Sequence, residues 1–589
     1  MRLFSAISLG CLAGTVLGAS TVTAQPAPSS EPSALRDTAE LFSADRRALS
    51  RRYDVRSASV RRERMRSFYE GWQERLPRMD FDALEPEGRI DWVLLANEVR
   101  YQLSLLDRED REFAEVLPVL PFAATIMDLE ESRRRLEPVE PARAAAALAH
   151  LAAAVDSARE TTAAAFGDPV AGGSETTATS RVVARRSAML LDDLRETLRR
   201  WHRFYAGYDP LFTWWTTKPF AATDSALTAY HRYLTESVLG IRPGEPEPMI
   251  GDPIGRNALE ADLAYEMIPY SIDELIAIAE REFAWCEEEY RSAAREMGYG
   301  DDWRAALEAV KQSYVPPGEQ PQLIATLARE AEAFLEERDL LTIPSLAKEI
   351  WRMEMMSPER QRVAPFFLGG EVIQVSYPTD SMSHEEKLMS MRGNNPHFAR
   401  ATVHHELIPG HHLQGFMTSR YRPHRRAFST PFWTEGWALY WEMLLWDLGF
   451  PRSPEDRVGM LFWRSHRAAR IIFSLRFHLG EMTADEAVDF LVERVGHERA
   501  NAEGEVRRSV AGDYPPLYQA AYMLGGLQFR AMHDELVGSG RMTDRAFHDA
   551  ILSGGTMPVA MVRARLLGDP VDPNDVGTWR FAGNPLEDR

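Results

Sequence analysis

The sequence predicts a mainly α-helical protein with one small β-sheet. Three observations carry that prediction. Apolar residues recur every three to four positions along most of the chain, as in Trp92, Leu95, Val99 and Leu103. One long segment, 141–166, is rich in alanine, the strongest helix former. Only 369–378 reads as strand, and there is neither a strand–helix alternation nor a glycine-rich phosphate loop.

The elements follow in order. Residues 1–24 have a basic Arg2, an apolar run from Leu3 to about Ala19, and a small-residue cleavage site at Val22-Thr23-Ala24. That pattern is a secretory signal peptide, so the protein is expected to be exported, to the periplasm or beyond. Cys11 is a poor lipidation site, because the apolar run before it is short and Ser8 stands three residues ahead. Residues 25–35 read as a flexible leader, and 36–589 as a single domain. Helical spacing covers about 36–115, and helices are expected over 141–166 and 181–205, with a loop over 167–180 between them. Ser271 and Glu274 form a capping box ahead of an apolar face of Ile272, Leu275, Ile276, Ala279, Phe283, Cys286 and Tyr290. Gly298 ends that helix. Cys286 on this face reads as a buried small hydrophobe. In "GGEVIQVSYP" (369–378), β-branched and aromatic residues lie between Gly-Gly and Pro, and the strand reads either as purely structural or as an edge for an extended chain, with Tyr377 then near a cleft.

Composition excludes some functions. The chain of 589 residues carries a net charge of −20, which argues against nucleic acid as a partner, since phosphate binding needs a basic face. No segment after the leader is long and apolar enough to span a bilayer. Without Cys11 a single cysteine remains, so no intrachain disulfide supports the exported fold.

The chemistry concentrates in "HHELIPGHHLQ" (404–414). Imidazole and carboxylate groups are good zinc ligands, and a catalytic zinc keeps three protein ligands and one open position. His405-Glu406 opens like the H-E-x-x-H signature, but position 409 is proline and the next histidine is His411. On a straight helix six residues give roughly 9 Å of rise and about 240° of rotation, so His405 and His411 would not share an ion. Pro409 cannot complete the helical bond to His405, and Gly410 tolerates unusual backbone angles. The pair is a reason for the helix to bulge or to break and restart, returning His411 to the metal. Glu406 then stands where a general base belongs. A third ligand would come from "FWTEGWALYWE" (432–442), where Glu435 and Glu442 lie seven apart on one helical face, with the helix starting near 435.

His-Glu-x-x-Pro-Gly-His-His-x-Gln followed by Glu-Gly-Trp-Ala-x-Tyr resembles the signature of the bacterial family called domain of unknown function 885. That family is in turn similar to gluzincin peptidases such as angiotensin-converting enzyme, thimet-type oligopeptidases and Taq-type carboxypeptidase. The resemblance is strongest from about residue 250 onward, including "LLTIP" (340–344), "RAARIIFSLRFH" (467–478) and "YQAAYMLG" (518–525). It implies one zinc ion on His405, His411 and Glu435, with Glu406 as catalytic base. The 24-residue interval from His411 to Glu435 is similar to that of the angiotensin-converting enzyme group, and favours Glu435 over Glu442 as the ligand. Glu442 and His412 are then expected behind the ligands or facing substrate. Tyr522 and His478 match family residues that would stabilise an oxyanion, Tyr518 lies one helical turn from Tyr522, and Arg470 would hold a substrate carboxylate. The family's Asp-Thr-Gly-Leu-His reads Ser474-Leu-Arg-Phe-His478, losing an acid and adding Arg476. The expectation is an exported zinc hydrolase of short peptides, its site in a deep cleft between two helical lobes. A metal-dependent amidase acting on a non-peptide or a cell-wall fragment, and a non-catalytic peptide-binding relative, are the alternatives.

Overall fold

The computed structural model of the protein describes residues 33–166, 178–244, 248–361, 364, 366–511, 514–573 and 577–584. The segment read as a signal peptide, Cys11, most of the expected leader and most of the expected 167–180 loop lie outside these residues. The leader's last residues are already docked: Ser33 and Leu35 are buried, and the Ala34 amide donates to Glu85 Oε1. Ser33–Arg589 form one compact unit.

The N-terminal helices are α1 (Arg36–Arg52), α2 (Ser59–Arg75), α3 (Pro86–Val116), α4 (Ala123–Arg134), α5 (Pro141–Phe166), α6 (Ala178–Tyr205) and α7 (Pro210–Arg232). The alanine-rich segment is α5, with the predicted bounds, while α6 starts three residues before the expected position. Small alanine side chains let α5 pack closely on α7, and one apolar cluster joins Ile126, Leu148, Val155, Leu191, Leu198, Phe212 and Tyr230 of α4 to α7.

Next come α8 (Arg256–Tyr265), α9 (Ile272–Glu296), α10 (Trp303–Lys311), α11 (Gln320–Glu337) and α12 (Ser345–Ile350). Helix α9 has the predicted capping box, and Gly298 follows it with φ of +88°, a conformation that glycine adopts without strain. Cys286 is buried on its apolar face, and burial pushes the thiol up to about 12, as expected of an inert core cysteine.

Strand β1 (Arg352–Met355) and strand β2 (Val372–Val375) flank the short α13 (Pro358–Gln361). They pair in parallel, Arg352 opposite Val372 through Met355 opposite Val375. Sequence reading found β2 but not β1, whose polar Arg352 and Glu354 mask a largely exposed strand. The expected peptide-binding edge is not open at its centre. Gln374 exchanges two backbone hydrogen bonds with Leu368 on the side away from β1. Tyr377 is also not a cleft residue: it is buried, with its hydroxyl on the Val315 carbonyl.

The remaining helices are α14 (His384–Gly393), α15 (Pro396–Glu406), α16 (His411–Thr418), α17 (Pro431–Asp447), α18 (Pro454–Leu479), α19 (Ala484–Phe490), α20 (Arg499–Val510), α21 (Tyr518–His533), α22 (Asp544–Ser553) and α23 (Val559–Leu567). The largest apolar cluster centres on α9, α17, α18 and α21, with Trp433, Trp437 and Trp441 among its fully buried side chains. A third, small cluster matters for position. Ile373 and Val375 of β2 meet Ile324 and Leu327 of α11 and Val403 and Leu407 at the end of α15, so the sheet braces the helix that carries His405.

Candidate metal centre

The chain between His404 and Gln414 is not one helix. α15 closes at Glu406, Leu407 leaves the helical region at φ −107°, ψ −104°, the Ile408–Pro409 bond is cis, and α16 restarts at His411 after Gly410. The backbone groups freed by the break are used again. Gly410 N–H donates to the His404 carbonyl at 3.0 Å, His412 N–H to Leu407 at 3.1 Å, and Trp437 Nε1–H to the Pro409 carbonyl at 2.8 Å. Gly410 is required by contact rather than by φ. A Cβ there would stand 2.8 Å from the His404 carbonyl oxygen and closer still to the His405 carbonyl.

Helix α17 supplies the glutamates. It begins at Pro431, earlier than the expected 435, because Thr430 caps it by accepting the Trp433 amide. Gly436 and Gly525 let α17 and α21 touch backbone to backbone, since a Cβ on Gly436 would meet Gly525 Cα at 2.5 Å. That contact puts Glu435 beside Tyr518 of α21.

His405, His411 and Glu435 converge. One ligand atom from each lies within 4.8 Å of the others, and Glu435 Oε2 is 3.5 Å from His405 Nε2 and 3.1 Å from His411 Nε2. Three ligands at about 2.05 Å from a tetrahedral zinc would stand about 3.3 Å apart. The two separations to Glu435 bracket that spacing and the third lies within 4.8 Å, so the donor set suits such an ion. Glu435 Oε2 is buried with no hydrogen-bond partner among the described residues, while Oε1 accepts from the Tyr518 hydroxyl. A buried carboxylate oxygen that meets two imidazole nitrogens without an aligned hydrogen bond is what a cation would satisfy.

The outer contacts set the tautomers. His405 Nδ1–H donates to Glu442 Oε1 at 2.6 Å, leaving Nε2 as the free donor atom. Gln414 Nε2 donates to the Trp433 and Thr434 carbonyls, which turns its Oε1 to accept from His411 Nδ1 at 3.3 Å. Both Nε2 atoms therefore face Glu435. Without metal, burial opposes charge on His411, but Glu435 outweighs this and raises it to about 9. Burial likewise disfavours the charge of Glu435, yet His411 and His405 hold it well below the usual carboxylate range.

Glu406 is buried beside the triad, and burial raises its carboxyl despite the nearby His405 and His411. The turn before β2 packs directly on it. A Cβ on Gly369 would meet Glu406 Cα at 2.6 Å, and the Gly370 amide reaches the Glu406 carbonyl at 3.3 Å. His411 is the triad member with most access to solvent, its side chain 16% exposed.

Tyr522 and Tyr518 adjoin the triad as expected. The Tyr522 ring stacks on the His405 imidazole at 6.1 Å, and the Arg467 and Arg470 guanidiniums lie over it at 4.6 and 4.4 Å. Other expectations are corrected. Arg470 already has its carboxylate: Nε donates to Glu505 Oε1 at 2.8 Å, and Nη2 stands 2.7 Å from the same oxygen. His478 lies eleven residues beyond Arg467 on α18, roughly 16 Å along the axis. Burial lowers it to about 4, and the charges acting on it are Asp252 and Arg108, not the triad. His412 points away from the ligands, with Nε2 on the Ala347 carbonyl at 2.7 Å. Sequence reading missed Gln414, Gly369 and Arg467, the last standing 3.6 Å from Glu442. Gln414 was findable at three residues from His411, on the same helical face. Gly369 and Arg467 reach the site from other elements, and local spacing gave no signal for them.

Two solved structures share this fold. A candidate lipoprotein of unknown function from Shewanella oneidensis aligns with a TM-score of 0.64 at 17% identity, over 90% of this chain and 98% of its own. A candidate lipoprotein from Colwellia psychrerythraea aligns with a TM-score of 0.56 at 16% identity, over 91% and 97%. No curated protein matches. The family model described as bacterial protein of unknown function (DUF885) matches residues 44–566. Spanning almost the whole domain, from α1 to the last turn of α23, that match establishes that the chain belongs to the DUF885 family.

Proposed function

We propose that the protein is an exported zinc-dependent hydrolase of short peptides. The observation that carries this reading is the convergence of His405 Nε2, His411 Nε2 and Glu435 Oε2 beside a buried Glu406. A zinc ion held there would supply Lewis acidity and lower the pKa of water at its open position. Glu406 takes the proton of the attacking water and returns it to the amine as the C–N bond breaks. Burial raises its carboxyl above the usual range, so it holds the proton more readily than an exposed glutamate would. Glu442 and Gln414 keep the two imidazoles in the required tautomer. Tyr518 spends its hydroxyl on Glu435, so Tyr522 is the better donor to a developing oxyanion. Export is supported by the leader pattern and by the description of the two fold relatives as candidate lipoproteins.

Metal analysis of purified protein, with Glu406→Gln tested beside wild type on a peptide library, checks this reading. One equivalent of zinc in both, with turnover only in wild type, is the expected result. Zinc without turnover in wild type would remove the peptidase assignment, and absence of bound metal would remove the site.

A further inference from the structure

A second charged layer touches the triad through Tyr522. It consists of Arg467 and Arg470 of α18 with Glu505 and Arg508 of α20, and all three arginines are more than nine-tenths buried. Arg467 and Arg470 cover the Tyr522 ring. The Arg508 guanidinium stands 4.8 Å from the Tyr514 ring centre, Tyr514 lies 4.4 Å from Tyr518, and Tyr518 donates to Glu435. A row of tyrosines thus leads from Arg508 to a metal ligand.

The charges in this layer do not balance. Glu505 Oε1 is held by Arg470 through one hydrogen bond from Nε and an ion-pair contact from Nη2. Glu442 gives its short bond to His405 and stands 3.6 Å from Arg467. Arg508 is left with Glu505 Oε2 at 3.8 Å, too far for a hydrogen bond. Arg508 Nε, Arg470 Nη1, Arg467 Nε, Glu505 Oε2 and both amide atoms of Gln519 are buried without hydrogen-bond partners among the described residues. Arg467 faces Glu442 and Glu406 and Arg470 holds Glu505, so Arg508 alone keeps no close carboxylate. A buried cation with no full partner is costly, and a bound anion would offset that cost.

We propose that Arg508 receives the free C-terminal carboxylate of a short peptide. This inference rests on the peptidase reading above, and makes the protein an exopeptidase that cuts near the C-terminus. A carboxylate is planar and matches the two-pronged face of a guanidinium. A carboxylate on Arg508 would lie at the far end of the Tyr514–Tyr518 row from Glu435, on the C-terminal side of the scissile bond. Arg470, locked on Glu505, orients Tyr522 instead.

The test uses a library of N-acetylated tetrapeptides, each made as free acid and as C-terminal amide. Wild type is expected to favour acids over amides in kcat/KM by on the order of 100-fold, the scale of a lost buried charge contact. Arg508→Gln should lose that preference by dropping acid turnover toward amide turnover, while metal content and thermal midpoint report whether it folds. Arg508→Lys, which keeps the charge without the fork, should retain part of the preference. Equal wild-type turnover of acids and amides, or an unchanged preference in a folded Arg508→Gln, would overturn the proposal. Failure of the peptidase reading would appear separately, as no turnover of either series. Binding of the same acids and amides to Glu406→Gln then decides the subsite, and equal affinity for both would overturn it.

Discussion

Gly410→Ala is the sharpest perturbation of the proposed centre. The break between α15 and α16 brings the His411 ring within 4.9 Å of the His405 ring, and it depends on a close backbone approach at Gly410. An added Cβ would stand 2.8 Å from the His404 carbonyl oxygen and nearer still to the carbonyl of His405. Those atoms are backbone of the ligand-bearing turn and cannot rotate aside. Relief must come from moving α16 away from α15, by more than the ±0.2 Å tolerance of metal–ligand distances. Overpacking costs about 1–3 kcal/mol, and an approach this close to fixed backbone belongs at the upper end, about 3 kcal/mol. If half of that falls on the ligand geometry, zinc affinity drops by on the order of 10-fold, since 1.4 kcal/mol is tenfold. Competition with a chromophoric chelator measures the affinity, and urea unfolding of the metal-free protein measures the remainder. Wild-type zinc affinity together with wild-type stability in Gly410→Ala would refute the reasoning.

Further outcomes follow from individual contacts. Glu442→Gln removes the carboxylate that orients His405, and should weaken zinc binding by about 10- to 100-fold, read by the same competition. Tyr518→Phe frees Glu435 Oε1 and should weaken it by about 10-fold, with the fold intact by circular dichroism. Zinc uptake at pH 7.5 should release protons, because Glu435 holds His411 at about 9 in the metal-free state and the ligand must be neutral; titration in a weak buffer with a pH dye reads the release. Burial lowers His548 to about 3, while its unfolded value is about 6.5. The unfolded state therefore binds the extra proton first, and this group destabilises the fold as pH falls below 6.5. Between pH 7.5 and 5.0 that amounts to about 2 kcal/mol. His548→Gln should narrow the wild-type loss by that amount in urea unfolding, and contributions from other groups, such as Glu266 raised to about 8, cancel in the comparison.

What was legible in the sequence was local. The capping box at Ser271, the bounds of the alanine-rich helix and the break at Pro409-Gly410 are each written in a few adjacent residues, and each appears in the structure. The spacing of Glu435 and Glu442 likewise placed both on the inner face of α17, one toward the imidazole Nε2 atoms and one on His405 Nδ1. What failed depended on partners far along the chain. Arg470 looked available to a substrate until Glu505, 35 residues later, took its guanidinium. His478 shares a helix with Arg467 and Arg470, but helix length carries it away from the triad. The edge of β2 looked open because the partner at its centre, Leu368, comes from a turn without strand pattern. Strand β1 was invisible because an exposed four-residue strand has no apolar alternation to read.

The most direct measurement is an anomalous difference map collected at the zinc absorption edge from crystals of the zinc-loaded protein. The account predicts one strong peak about 2 Å from His405 Nε2, His411 Nε2 and a carboxylate oxygen of Glu435. The second His/Asp grouping, His533, Asp544 and His548, is the natural internal control, because His548 is already engaged by Leu340 and Tyr440. A peak there with none between His405 and His411, or no peak at either place, would contradict the account.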